Sequence, residues 1–272
     1  MSRKRNPLEI YKLLPKTNCG QCFIPSCMAF AAAIIQGGKT AADCPHLPAA
    51  TIAELEGKVE RGTNMEADLE AALLALQEKI RGVDLLAAAA RTGGKMAGER
   101  LAINCLGKDF LVDGAGTLAS ECHVNPWVQL PLLSYIIDSQ GVALHGEWLS
   151  LAELEGGQQW SGYFAHRCEA ALRQLIDAHS EIIFEILDLF GAKTFSGITS
   201  ADRSLLIHPL PKVPFLINYW RPEEDLESKL NILFDRSAGR NSTPQSISLL
   251  TRGLVEMFRQ LIVRHSRDGK LF

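Results

Sequence analysis

No stretch of this 272-residue chain reaches the ~18 consecutive apolar residues that a membrane helix needs. Its opening Met1-Ser2-Arg3-Lys4-Arg5 is basic like a signal n-region, but polar, proline-containing sequence follows where an apolar segment should stand. A cytoplasmic location is therefore expected. Nucleotide chemistry has no anchor, because there is no Walker A loop and no G-x-G-x-x-G after an expected strand. A nucleophile elbow, G-x-S-x-G, is missing too. Aromatic residues make up 7% of the chain and the net charge is −3, so the basic stripe with interleaved aromatics of a nucleic-acid binder is absent. Without a catalytic constellation the sequence assigns no enzymatic activity. Hydrophobic residues at 47% and charged residues at 22% are ordinary for a globular protein that buries a sizeable core.

What the chain does have is thiols at its beginning. Cys19, Cys22, Cys27 and Cys44 are spaced C-x2-C-x4-C-x16-C, and Pro45 follows the last. The chain has seven cysteines, an odd number, which argues against a disulfide framework. Structural zinc usually pairs two C-x2–4-C knuckles, and only one is present; zinc is nevertheless the alternative at this point. Four convergent thiolates suit a cubane 4Fe-4S cluster, where each iron takes one soft, anionic ligand. The four cysteines are thus both the metal ligands and the cofactor-binding residues expected from sequence.

Local signals make this stretch a small helical module. Asn6 before Pro7, with Glu9 two residues on, reads as a capped helix start, and Leu8, Tyr11 and Leu14 would line its inner face. Ser26 caps a second helix over Cys27–Gln36, closed by Gly37-Gly38. Phe30 and Ile34 on that helix would shield a cluster from water, and its first amides would face cluster sulfur. Residues 1–48 hold six basic side chains (Arg3, Lys4, Arg5, Lys12, Lys16, Lys39) against Glu9 and Asp43, a net of +4; the whole chain being −3, the remainder carries −7. That positive rim would steer an acidic redox partner; a solvated basic tail is the plainer reading.

Leu14-Pro15-Lys16-Thr17-Asn18-Cys19-Gly20-Gln21-Cys22, Pro25-Ser26-Cys27, Ala29-Phe30-Ala31 and Asp43-Cys44-Pro45 resemble the small iron–sulfur domain of corrinoid iron–sulfur proteins and of the Rnf complex B subunit. The resemblance covers about the first 48 residues. It implies one 4Fe-4S cluster, which in the corrinoid proteins is associated with reductive reactivation of cobalt. Phe23 stands where that family has glycine, making the loop more apolar without removing a ligand. The Asp-x-His-x-x-Gly cobalt-ligand motif is absent.

Beyond the module, Thr51 to Glu54 matches a capping box. A long helix over Asn64–Ile80 would place Leu69, Leu73, Leu76 and Ile80 on one face. Asp84–Ala90 forms another, closed by Gly93-Gly94. From Leu101 the pattern becomes mixed: a hairpin around Gly107-Lys108, a helix over Leu130–Ser139 with Pro131 in its first turn, a capping box at Ser150–Glu153, helices near 161–177 and 181–190, and strands near 204–208, 213–220 and 229–235. Ser242 or Thr243 before Pro244 opens a last helix that buries Ile247, Leu250, Leu254, Met257 and Leu261. The expected fold class is α+β, divided as an iron–sulfur module (1–48), a helical connector (49–95) and a mixed α+β domain (96–272).

Leu144-His145-Gly146-Glu147-Trp148, Gly156-Gly157, Leu210-Pro211-Lys212-Val213-Pro214, Trp220 with Glu223-Glu224, and Leu233–Ala238 resemble an uncharacterised domain of anaerobic bacteria and archaea, over about residues 65–265. That resemblance implies no activity; relatives tend to carry an acidic residue near Gln245. Cys105, Cys122, His123, His166 and Cys168 are candidates for a second metal. Cys168 continues the series Phe164, Leu172, Ile176 and reads as a buried thiol, whereas His166 lies about 200° around the helix from it. Asp225, Glu227 and Asp235 are acidic enough for a cation but read as solvated, Asp113–Gly116 as a turn, and Trp220–Asp225 as a pocket rim or an edge-strand cap. The expected function is single-electron transfer to a partner metalloenzyme or cofactor in anaerobic metabolism. Two alternatives stand beside it: a corrinoid or other acceptor held by the C-terminal domain, or a binding module whose cluster is structural.

Overall fold

Capping residues and apolar spacing lay down most of the elements in the computed structural model, which describes residues 7–22, 24–35, 39–58, 65–122, 124–197, 199–224 and 226–268. The chain forms two compact units, Met1–Ala72 and Leu73–Phe272. Together they give the α+β class expected from the sequence.

The first unit contains helices α1 (Pro7–Tyr11), α2 (Cys27–Ile35) and α3 (Ala49–Lys58). A 3₁₀ turn at Ala41–Asp43 is closed by Thr40, whose backbone N–H donates to Asp43 Oδ2 at 2.7 Å. Ile10, Leu14, Phe30, Ala31, Ile34, Ala41, Leu47 and Leu55 share one core with Cys22, Cys27 and Cys44. The inner face of α1 differs from expectation: Ile10 and Leu14, four residues apart, are buried, whereas Leu8 is 54% exposed. Ser26 caps α2 as expected, its Oγ accepting from Ala29 N at 3.2 Å. Helix α3 begins two residues before Thr51, whose N–H donates to Pro48 O at 2.9 Å; Thr51 is thus inside the helix rather than at its cap. The expected roles of Asn6, Phe23 and Gly37-Gly38 fall outside the described residues.

Helix α4 (Met65–Ile80) runs on into the second unit, with Leu73 and Leu76 partly buried and Ile80 fully so. Asp84 caps α5 (Leu85–Thr92) through bonds from Leu86 N and Ala87 N, and Gly93 ends it in the left-handed region at φ 76°. Strands β1 (Lys95–Ala97), β2 (Arg100–Cys105), β3 (Lys108–Val112) and β4 (Leu118–Ala119) follow as an antiparallel four-stranded sheet in sequence order. The β2–β3 loop is Leu106-Gly107, at φ 51° and 80°, one residue before the expected turn. Two successive positive φ values match the twist of the flanking strands.

Helix α6 (Pro126–Asp138) starts four residues earlier than expected, capped by Asn125 with Pro126 at its first position. Pro131 consequently sits in the helix interior. Strand β5 (Trp148–Leu149) and a turn at Leu151–Glu153 lead into α7 (Gln158–Phe164), a π-helical turn at Ala165–Glu169, and α8 (Ala170–Leu189). The two helices expected near 161–177 and 181–190 are divided, as expected, by a kink at His179, which leaves helical geometry (φ −145°, ψ 45°), and the first begins slightly earlier, at Gln158.

Strands β6 (Lys193–Thr194), β7 (Arg203–Leu210), β8 (Val213–Trp220) and β9 (Lys229–Asp235) close a second antiparallel sheet in the order β5-β9-β8-β7-β6. Strand β8 is buried from Val213 to Tyr219, as its near-continuous apolar run requires. After α9 (Ala238–Asn241), the long α10 (Pro244–Asp268) packs on α6 and α8. It buries Ile247, Leu250, Leu254 and Leu261 as expected, with Val255 and Phe258 added and Met257 only partly covered. A Cβ at Gly253 would lie 2.6 Å from Trp127 Cβ, so glycine permits the close approach of α10 to α6. Among the described residues no helix is long and apolar enough to cross a membrane.

Candidate metal centre

The four cysteines of the expected ligand set are brought together. Cys19, Cys22, Cys27 and Cys44 line one pit with Leu14, Ile24 and Phe30. Three of them are buried, and Cys19 alone is exposed. They come from three kinds of backbone: Cys19 and Cys22 from the loop after α1, Cys27 from the first position of α2, and Cys44 from the end of the 3₁₀ turn. Phe30 shields the pit as expected, whereas Ile34 lies in the core of the unit and Leu14 and Ile24 take its place at the wall.

The loop before Cys22 has an unusual backbone. φ is positive at Lys16 (60°), Asn18 (49°) and Gly20 (72°), every second residue. Such alternation turns successive N–H groups inward and makes a concavity suited to an anion, as in many iron–sulfur sites. The Gln21 N–H and then the Thr17 side chain hydrogen-bond Cys19 and hold its thiol below the ordinary cysteine range. Asn18 Oδ1 accepts from the Cys27 N–H at 2.8 Å. The first amide of α2 thus goes to Asn18, and that of Ala29 to Ser26 Oγ, rather than to the pit as expected from sequence.

Does this arrangement fit a cluster? Four soft thiolates around a small, largely apolar pit are the right donor set. Among the described residues no three His, Cys, Asp or Glu side chains converge tightly enough to hold a single metal ion. A cubane does not require such a point, because each thiolate meets its own iron at a corner.

The remaining candidates are scattered. Cys168 is fully buried among Phe164, Leu172 and Ile176, with its thiol 3.6 Å from Ser248 O, and burial pushes it up to about 12. His166 is exposed on the same turn and points elsewhere. Cys105 is buried, and burial, then the neighbouring Cys122, raise it to about 12. Cys122 is exposed, while His123 and Asp225 lie outside the described residues. Glu227 is solvated beside Arg173.

Asp235 differs from expectation. It is 1% exposed, and its carboxylate accepts from His145 N, Gly146 N, Ser237 N and Ser237 Oγ at 2.7–3.1 Å. Burial alone would raise it, yet these donors together hold it below the usual carboxylate range. Arg236 N–H donates to Glu147 O at 2.8 Å, and Asn241 Nδ2 donates to both Val142 O and Lys212 O. The segments around 144–148, 210–214 and 233–238 therefore meet in one buried buckle. Its polar groups bond one another, which marks it as structural.

An open groove of about 620 Å³ lies between α8 and the β7–β8 face, with Asp177, Glu181, Glu185 and Asp188 on one side and Arg203 and Arg221 on the other. Tyr219 donates to Asp177 Oδ1 there at 2.8 Å. Arg221 and Pro222 form its rim, from the segment expected to edge a pocket.

Comparison with known proteins divides the chain in the same way. Residues 84–257 match the family described as a domain of unknown function (DUF3786), and residues 14–46 match the family described as "Putative Fe-S cluster". The acetyl-CoA decarbonylase/synthase complex subunit gamma 1 of Methanosarcina thermophila is 55% identical over 42 residues, 15% of this chain and 9% of that protein. The gamma subunit from Archaeoglobus fulgidus is 39% identical over 79 residues, 29% of this chain and 16% of its own. The corrinoid/iron-sulfur protein large subunit of Moorella thermoacetica is 50% identical over 40 residues, again 15% and 9%. The chain thus spans only a small part of the length of these curated relatives. No solved structure matches it.

Proposed function

Because the chain belongs to the DUF3786 family of domains of unknown function and bears an iron–sulfur module ahead of that domain, we propose that it is an electron-transfer protein. In this reading Cys19, Cys22, Cys27 and Cys44 hold one 4Fe-4S cluster, and the protein passes single electrons to a partner metalloenzyme or its cofactor in anaerobic metabolism. The observation that carries it is the asymmetry of the pit: three cysteines are set in the core, and one, Cys19, stands on the surface. A cluster so held stays fixed while one corner comes within reach of a partner.

When bound, the cluster accepts and returns one electron at a time. The chain's own residues hold and tune it. Leu14, Ile24 and Phe30 exclude water from the inner side of the pit. Gln21 N–H and Thr17 favour the thiolate at Cys19. Lys12 and Lys16 are exposed in the same unit, with the Lys16 ammonium 5.7 Å from the Tyr11 ring centre. These positive charges favour an acidic partner and make the encounter slower at higher salt, over a Debye length of ~10 Å at 0.1 M.

A corrinoid held by the second domain is the competing reading. The likeness to a corrinoid/iron-sulfur large subunit spans only 40 residues, the size of the cysteine module at residues 14–46, so it supports the cluster more than a corrinoid site in residues 84–257. We therefore place any corrinoid on the partner.

Anaerobic purification tests both. Iron and sulfide should each be about four per chain, matching the four thiolates, and Cys44→Ala should lose the cluster or leave a three-iron species. Reduction by a low-potential reductant, followed by electron paramagnetic resonance, should proceed without added cobalamin. Stoichiometric zinc without sulfide would overturn the cluster. Tight binding of cobalamin that is reduced through the protein would favour the competing reading, and a cluster that cannot be reduced would leave it structural.

A further inference from the structure

Asn18 is placed where two ligands can be set at once. It directly precedes Cys19, and its side chain reaches nine residues along the chain to the Cys27 N–H at 2.8 Å. Its backbone is left-handed, at φ 49°, a conformation that asparagine tolerates better than most residues. The exposed loop from Lys16 to Gln21 has no side chain in the core of its unit. The bond from Asn18 therefore ties the exposed ligand to a buried one.

The same bond has an electronic consequence. An amide carries one hydrogen, and at Cys27 that hydrogen is already given to Asn18 Oδ1. Hydrogen bonds to cluster or ligand sulfur stabilise the more negative, reduced state and so raise the reduction potential. An N–H at the first residue of α2, on a ligand cysteine beside the pit, is a natural donor of that kind, and Asn18 withholds it. We propose that Asn18 is a positioning residue that keeps the cluster's reduction potential low by engaging the Cys27 amide, while holding the Cys19 loop in place. The proposal rests on the 4Fe-4S reading given above.

Two substitutions separate the effects. Asn18→Gly keeps the left-handed backbone without strain but removes the acceptor and frees the Cys27 N–H. Asn18→Asp keeps the acceptor on a side chain of the same shape. The experiment uses the full chain, loaded anaerobically, with iron and sulfide counted and the midpoint potential read by electron paramagnetic resonance; the rate of iron loss to a chelator is followed in parallel. N18G should retain the cluster, lose iron several-fold faster and titrate at a more positive potential than the parent. N18D should lose iron at the parent rate and titrate no higher than the parent.

An unchanged midpoint in N18G overturns the proposal, even with faster iron loss, because the side chain would then serve only as a strap. If N18G takes up no cluster, N18D decides: a loaded N18D with a parental or lower midpoint upholds the role of the acceptor, and an N18D that also fails to load refutes it. Failure of the iron–sulfur reading is seen separately, as a parent protein that contains neither iron nor sulfide.

Discussion

Replacing Asp235 tests the buckle of the second unit most directly. Its Oδ1 accepts from His145 N, Ser237 N and Ser237 Oγ, and its Oδ2 from His145 N and Gly146 N, the last at 2.7 Å. Asp235→Asn keeps one oxygen and turns an amide N–H₂ towards one set of donors. With the oxygen left at the Oδ1 position, the Gly146 bond is lost and two donors face each other. A hydrogen bond to a charged group contributes about 1.5–3 kcal/mol, and an unsatisfied buried donor costs a comparable amount. Destabilisation of about 2–4 kcal/mol is therefore expected, and about 3–5 for Asp235→Ala, which abandons every donor. Intrinsic fluorescence isolates the right unit, since Trp127, Trp148, Trp160 and Trp220, the four tryptophans of the chain, all lie within it. A denaturant titration should show a lower midpoint with an unchanged slope, and thermal unfolding should begin several degrees earlier. The pH dependence has a definite sign. The carboxyl lies below its ordinary value in the folded protein, so its contribution is complete above the unfolded value of ~3.9 and disappears as pH falls through the lower folded value. The stability gap between the parent and the Asp235→Asn protein should consequently narrow below about pH 4. A loss under about 0.5 kcal/mol that does not change with pH would refute the assignment of Asp235 as a buried, ionised hub.

Thiol labelling provides a second check: Cys122, exposed, should react in the native protein, while Cys105 and Cys168, with thiols raised to about 12, should react only on unfolding. Changing any of these three to serine should leave the iron content intact, and Cys168→Ser should cost about 1 kcal/mol, because Ser248 O is at hand to accept its hydroxyl. Gly141→Ala should destabilise by about 2 kcal/mol or more, for φ is 72° and the new Cβ would stand 2.8–3.0 Å from Arg91 Cβ, Cα and O; fluorescence-detected unfolding reads this directly.

Local chemistry was legible in the sequence wherever partners were near one another. The cysteine spacing, the Ser26 cap, the Asp84 and Gly93 ends of α5, and strands β7 to β9 all follow from residues a few positions apart. The start of α6 was encoded in Asn125-Pro126, the same cap-and-proline signal read correctly at Thr243-Pro244; Pro131 obscured it, because an interior proline usually breaks a helix. Long-range pairs were not legible. Asp235 looks solvated until His145 and Gly146, about 90 positions earlier, come to meet it. At the candidate metal centre the four thiols could be read by their spacing, but the Asn18 bond to Cys27 could not, since it depends on a left-handed residue that only the folded loop reveals.

The outer strands of the two sheets bear on how this protein survives at high concentration. A free sheet edge is a template onto which another molecule can add a strand, the first step towards a fibre. Here the longest, most apolar strands are all interior, and the edges are β1 and β4 in one sheet and β5 and β6 in the other, of three, two, two and two residues. So short a strip offers a neighbour only one or two backbone bonds. Strand β5 covers Phe234 and Asp235 of β9, where Glu169 also takes the Ile232 N–H, and β6 covers Leu205 and Leu206 of β7. These minor strands, which add little to the core, therefore each withdraw two residues of a long strand from pairing with a neighbouring molecule.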